Sequence, residues 1–188
     1  MRILTLCLWL ATGSVLADWQ LDSDNSSLHF ISTKNEHISE MHTFDRVSGN
    51  LTEAGKLSIN VDLTSVNTMI DIRNSRMQSM LFNVDSFASA TFSADLPANV
   101  MALPPGGTMQ MQQSGVLSLH GVEASVTFEV RVVRLSESQL LAYTVKPTII
   151  NASQFGLTAG VQALQKIAGL NSISYAVPVS FSVVMNSQ

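Results

Sequence analysis

The sequence predicts an all-β protein built from antiparallel strands, and three observations predict it. Apolar residues alternate with small or polar ones in five separate stretches, and turn-forming residues separate several of these. The apolar positions also switch between odd and even numbering where tight hairpins require it. Alternation of this kind gives a strand one apolar and one wet face, because successive side chains point to opposite sides of a sheet.

The elements follow in chain order. The opening MRILTLCLWLATGSVLA carries one early charge, Arg2, then an apolar run from Ile3 to Ala11, then the small-residue triplet Val15-Leu16-Ala17. That is the layout of a cleaved secretory leader, and the run is too short to span a bilayer. Residues 1–17 are therefore expected to be removed, leaving one domain over 18–188 that begins at Asp18. The single cysteine, Cys7, leaves with the leader, so packing rather than disulfides must hold the exported chain.

Leu57, Ile59, Val61 and Leu63 then alternate with Ser58, Asn60, Asp62 and Thr64. Met109 and Met111 begin a run of the same parity that reaches Leu117 and Leu119. Val126, Phe128, Val130 and Val132 form the next strand, followed by Leu141, Tyr143 and Val145. The last strand places Tyr175, Val177, Val179, Phe181, Val183 and Met185 at every second position. Turn signals at Glu53-Ala54-Gly55-Lys56, Pro104-Pro105-Gly106-Gly107 and Ser136-Glu137-Ser138 punctuate the runs.

Directly opposed residues of an antiparallel pair share a face, so a hairpin with an even-numbered loop exchanges odd and even apolar positions. Leu117 and Leu119 are odd while Val122, Val126 and Phe128 are even, which fits a two-residue turn at His120-Gly121. A four-residue loop at 135–138 would return the apolar face to Leu141 and Tyr143. Phe92, Ala94 and Leu96 are even and Met109, beyond the Pro-Gly loop, is odd.

Two segments break the alternation. Residues 71–84 are Met-rich and suit a short helix or an ordered loop. In Thr158–Gly169, Val161, Leu164, Ile167 and Ala168 fall near helical spacing, with Thr158 as a candidate N-cap and Gly169 as a stop. A meander with one apolar face can pack as two sheets or close into a barrel wide enough for one small or elongated ligand. Eight methionines remain after the leader, a composition that suits either an adaptable apolar site or a gap-filled core.

Several functions are disfavoured. Without Arg2, nine basic residues face fourteen acidic ones, which argues against nucleic acid. Glu36-His37-Ile38-Ser39-Glu40-Met41-His42 gathers carboxylates and imidazoles, but its histidines are five apart in a loop-to-strand region, not four apart on a helix. No metal or other cofactor is expected, and no motif for a catalytic nucleophile or a phosphate-cradling loop occurs, so an enzyme is not predicted. His29, between Leu28 and Phe30, reads as an outward strand residue. The consistently polar second face argues against stable membrane insertion as a barrel. Arg73 and Arg76 are candidates for an anionic head group, since guanidinium matches phosphate geometry, or else a solvated surface pair.

The string SGVLSLHGV, Ser114 to Val122, resembles the strand-turn motif of the YceI-like polyisoprenoid-binding family, G-x-L-T-hydrophobic-x-G-V. Further landmarks occur in the family's order. They are Trp19-x-x-Asp22 with Ser26-x-Leu28-x-Phe30, Val66-x-Thr68 with Arg73-Asn74-x-x-Met77, Phe82 with Thr91-Phe92, and Phe155-Gly156-Leu157. Asn74, Ala88 and Asn25 depart from the usual Asp, Pro and His, and none removes an apolar position.

The resemblance implies a lipocalin-like antiparallel β-barrel of about eight strands with one or two short helices. It also implies export to the periplasm and binding of a long-chain isoprenoid or similar lipid in the barrel interior. The alternative is an interaction barrel filled by its own side chains. The expected cavity wall comprises Phe30, Val61, Leu63 and Phe92, then Leu117, Leu119, Phe128 and Val130. Tyr143, Phe155, Tyr175, Val177, Val179 and Phe181 complete it.

Overall fold

Alternation becomes pairing in eleven strands of one antiparallel sheet, seen in a computed structural model that describes residues 19–188. The expected leader over 1–17 and the new terminus at Asp18 lie outside the described residues. The strands are β1 (Trp19–Lys34), β2 (Ile38–Phe44), β3 (Val47–Leu51), β4 (Lys56–Asp62), β5 (Val66–Asn67) and β6 (Ser89–Asp95). They continue as β7 (Thr108–Leu119), β8 (Val122–Ser136), β9 (Gln139–Thr144), β10 (Thr148–Asn151) and β11 (Ala176–Ser187). Eight of them close a ring in the order β1-β11-β9-β8-β7-β6-β4-β3 and back to β1. The barrel therefore has no free edge around its circumference. Strand β2 doubles back on the second half of β1, β5 extends β2, and β10 flanks the first half of β11.

The antiparallel register gives the barrel two distinct ends. Lys34, Val47, Asp62, Ser89, Leu119, Val122, Thr144 and Ala176 bound the upper one. Five helical segments gather there, including α1 (Asp71–Arg76), a π-helical turn at Met77–Phe82 that continues it, and α3 (Thr158–Ile167). Among the described residues the lower end carries only the short α2 (Ala98–Met101). Helix α3 lies so close to the π-turn that a Cβ on Gly160 would sit 2.8 Å from Leu81 Cα. It begins at Thr158 itself, with Leu157 as an N-cap that makes no side-chain cap bond, so Thr158 does not take the expected role.

The His120-Gly121 turn forms as expected, joining Leu119 to its partner Val122 with both turn residues left-handed, at φ 53° and 76°. This backbone matches the twist of the flanking strands. The next hairpin departs from expectation. Its loop is two residues long, Ser136 facing Gln139, and a bulge between Arg134 and Ser136 inserts Leu135. The bulge cancels the switch that a two-residue loop would impose, so Arg134 opposes Leu140 and Val130 opposes Thr144. Even-numbered Leu140 and Ala142 face the interior. Leu141 and Tyr143 therefore face outward, Tyr143 in a row with Arg131 and Ser182. A second irregularity between Asp22 and Ser27 moves the inward face of β1 from Trp19 and Leu21 to Leu28 and Phe30.

Candidate functional site

The inward side chains do not fill the ring. They leave a cavity of about 550 Å³, within the ~300–1,000 Å³ usual for small-molecule sites. Its wall is strand-built: Leu28 and Phe30 from β1, Leu57, Ile59 and Val61 from β4, and Phe92 from β6. Leu117 and Leu119 of β7, Phe128, Val130 and Val132 of β8, and Val177, Val179, Phe181, Val183 and Met185 of β11 continue it. Phe128 stands edge-on to both Phe92 and Phe181, with ring centroids 5.3 Å apart in each pair. The π-turn and α3 supply Met77, Leu81, Phe82, Val161, Leu164 and Ile167 as a roof.

The lower end is packed shut. Leu51, Val100, Leu140 and Met185 are buried there, and Trp19 beneath them is 3 % exposed. Arg134 lies over the Trp19 ring, 4.5 Å from its centroid, and donates from Nε and Nη2 to the carbonyls of Ser136 and Glu137. The upper end opens to solvent, where the cavity-lining Ile167 is 47 % exposed.

That upper end is polar. The alternation of β2 turns Glu40, His42 and Phe44 inward, opposite Ser32 and Phe30 of β1. Lys34 Nζ and Arg73 Nη1 donate to the same Glu40 oxygen, at 2.7 and 2.9 Å. The Lys34 hydrogen bond, with Arg73 beside it, holds the Glu40 carboxyl below its ordinary pKa. His42 packs its ring against Phe30 at 5.3 Å and is 4 % exposed. Burial, reinforced by the Arg73 charge, holds its pKa below the usual imidazole value, so it is neutral at pH 7. Among the described residues, its Nδ1, the Nε of Arg73 and, away from the cavity, the Nδ1 of His29 are buried without hydrogen-bond partners. Arg76 also lines the cavity and makes no ion pair among the described residues. Asn74, standing where the resemblance expects Asp, accepts from the backbone N and the hydroxyl of Thr68, whose carbonyl accepts from Arg73 Nη2 at 2.7 Å. That local bonding aims Arg73.

Eleven of the fourteen sequence-predicted wall residues line this cavity: Phe30, Val61, Leu63, Phe92, Leu117, Leu119, Phe128, Val130, Val177, Val179 and Phe181. Three do not. The bulge at Leu135 turns Tyr143 outward. Phe155, fully buried in a 3₁₀ turn after β10, packs in the core outside the cavity. Tyr175 precedes β11, and its hydroxyl accepts from Gln162 of α3. Arg73 and Arg76 meet at the same end. The structure separates the histidines of the Glu36–His42 stretch, placing His37 in an exposed turn and His42 inside the barrel. Glu40 and His42, weighed in the sequence only as metal ligands, and Lys34, which the sequence does not mark, join this end. The only available signal was the period of two through Glu40, His42 and Phe44, and its polar content hid it.

Comparison with known proteins agrees with this geometry. A family model described as YceI-like domain matches residues 19–185. A polyisoprenoid-binding domain from Saccharophagus degradans, implicated in plant cell wall breakdown, shares 37% identity. It matches over 92% of this chain and 99% of its own, with a TM-score of 0.88. BcnA of Burkholderia cenocepacia, at 18% identity, matches over 87% of this chain and 98% of its own with a TM-score of 0.68. A Campylobacter jejuni YceI protein, at 14% identity, covers 78% of this chain and 84% of its own with a TM-score of 0.56. These two share the fold. No curated protein matches the chain.

Proposed function

The chain belongs to the YceI-like domain family, and from that premise we propose that it is an exported binding protein that holds a long-chain isoprenoid or similar lipid inside its barrel. The observation that carries the proposal is the apolar cavity of about 550 Å³, closed below and open above. Each CH₂ transferred into such a space contributes ~0.8 kcal/mol, so a long chain needs few polar contacts to stay bound. The name of the Saccharophagus degradans domain, which refers to polyisoprenoid binding, supports the same chemistry. Arg73 and Arg76 stand where the head of such a lipid would emerge. The reading is one of binding, not catalysis, and it suits transport, storage or sensing of the lipid.

The test is native mass spectrometry and solvent extraction of freshly purified protein. A long-chain lipid should accompany the folded chain and leave on extraction. Protein that carries none, and takes up none when an isoprenoid is added, would defeat the proposal. Export is tested separately by intact mass of the periplasmic protein, which should begin at Asp18. Retention of residues 1–17 in that fraction would reject the leader.

A further inference from the structure

Large apolar side chains reach solvent around the rim of the open end. Ile38 begins β2 opposite Lys34, Met69 and Ile70 lead into α1, Ile72 stands in its first turn, and Ile167 ends α3. Each is at least 46 % exposed, and Met69 is 88 % exposed. One exposed apolar side chain is ordinary, but three within four positions beside an open cavity form a patch. Met69 also adopts left-handed backbone, φ 62°, which residues other than Gly, Asn and Asp seldom take. The turn is held in place, because Asn67 Oδ1 accepts from Met69 N at 2.9 Å and Asn74 Oδ1 accepts from Thr68 N at 2.8 Å. The fold thus tolerates strain to present a side chain that gains little from its own chain.

Cations accompany these positions. Ile72 and Arg76 are four apart and share one face of α1, while Asp71 lies on the face of Ser75. Lys166 precedes Ile167 at the end of α3, where a Cβ on Gly169 would meet nothing within 4 Å. Neither Arg76 nor Lys166 makes an ion pair among the described residues. A phospholipid surface complements such a set, its acyl region receiving the apolar side chains and its phosphates the cations. We propose that this rim docks reversibly on a phospholipid bilayer with the mouth of the barrel facing the membrane. A bilayer is favoured over a protein partner because the patch rings the opening through which a lipid would pass. At about 0.15 M salt the Debye length is ~8 Å, so acids elsewhere on the chain are screened from the membrane while the rim cations are not. The contact is shallow, since no helix among the described residues is long and apolar enough to cross a membrane. Its use, passing a lipid between bilayer and cavity without exposure to water, rests on the lipid-binding reading.

The test is sedimentation of the purified exported protein with vesicles of phosphatidylethanolamine and phosphatidylglycerol, which the wild type should bind. Met69→Asn combined with Ile72→Gln removes two apolar contacts without changing charge and should weaken vesicle binding at least about tenfold. Lys166→Gln should weaken it about fivefold. None of these three residues lines the cavity, so uptake of geranylgeraniol added without vesicles should match that of the wild type. Thermal unfolding checks that each variant folds. Met69→Asn, a change that suits the left-handed backbone, carries the test alone if the double variant does not fold. Absence of wild-type binding, or wild-type affinity for vesicles in the double variant or in Lys166→Gln, would overturn docking by this rim while leaving lipid binding intact. Loss of geranylgeraniol uptake by the folded double variant would also overturn it, by making these residues part of the cavity. Vesicle binding by wild-type protein that takes up no isoprenoid would remove the lipid-binding reading and leave the docking surface in place.

Discussion

Each end of the barrel holds a cationic side chain, Arg134 buried below and Arg73 half-buried above, and the two differ in what their guanidinium nitrogens meet. At the lower end Arg134 is covered by the Trp19 ring and spends its donors on two backbone carbonyls of its own hairpin. At the upper end Arg73 keeps a buried Nε without a partner, and His42 adds an orphan ring nitrogen beside it. A buried polar group whose bonds are all made is structure: it closes the barrel and specifies a hairpin. One whose bonds are left open lowers stability, and two of the three such atoms among the described residues, those of Arg73 and His42, lie at the mouth. The contrast separates plug from mouth without reference to a ligand.

The largest effect expected from this contrast is at the plug. Trp19→Ala removes the ring that Arg134 covers and should cost about 3–5 kcal/mol in denaturant unfolding, as truncation of large buried aromatics does. A cost well under 1 kcal/mol would show that the lower end is not sealed this way. Next comes the wall between the two ends. Val179 opposes Phe30 on β1 and lines the cavity. Val179→Trp should reduce isoprenoid binding by about 100-fold, or ~2.7 kcal/mol, with the lipid-free protein unfolding near the wild-type temperature. A filled interior would instead lose ~1–3 kcal/mol of stability through overpacking. Unchanged lipid affinity together with that loss would make this a plain structural barrel.

The mouth should respond with the opposite sign. His42→Phe replaces an unsatisfied imidazole with an apolar ring that still packs on Phe30, so it should stabilise the lipid-free protein by ~1 kcal/mol. Destabilisation by this change would mean that the imidazole has a structural partner.

The smallest effect is in the pH dependence. The groups facing His42 are Lys34 on β1, Glu40 on β2 and Arg73 on α1. Its folded pKa lies below the unfolded value of 6.5, so below that pH the unfolded chain takes up a proton that the folded protein refuses. Stability should therefore decline as pH falls from about 6.5, and His42→Phe should flatten that part of the curve. Glu40 acts lower. Its depressed pKa contributes stability that is present above the unfolded value of 4.5 and lost as pH falls through the folded value. A wild-type decline near pH 6 that His42→Phe leaves untouched would place its source elsewhere.

Much of the wall was legible because alternation is a local property. The run from Val177 to Met185 needs only its own backbone to put odd residues on one face, and the His120-Gly121 turn carries its conformation in two adjacent residues. The next hairpin was not legible, because its bulge goes with Arg134 reaching Trp19, a residue at the far end of the chain. Tyr143 was misplaced for that reason. Phe155 belongs to a motif of the resemblance, and a matching motif does not distinguish a side chain packed behind a strand from one facing a cavity.

The sequence by itself determined five strands (β4, β7, β8, β9 and β11), the inward faces of all of these but β9, one tight hairpin and the approximate extent of α3, all of which follow from neighbours one to four positions apart. Only the tertiary structure decided that the interior is partly empty and that one end of it is charged. Whether side chains fill a ring depends on which eight strands close it. Lys34, Glu40, His42 and Arg73 acquire their meaning only when β1, β2 and α1 converge on one point in space.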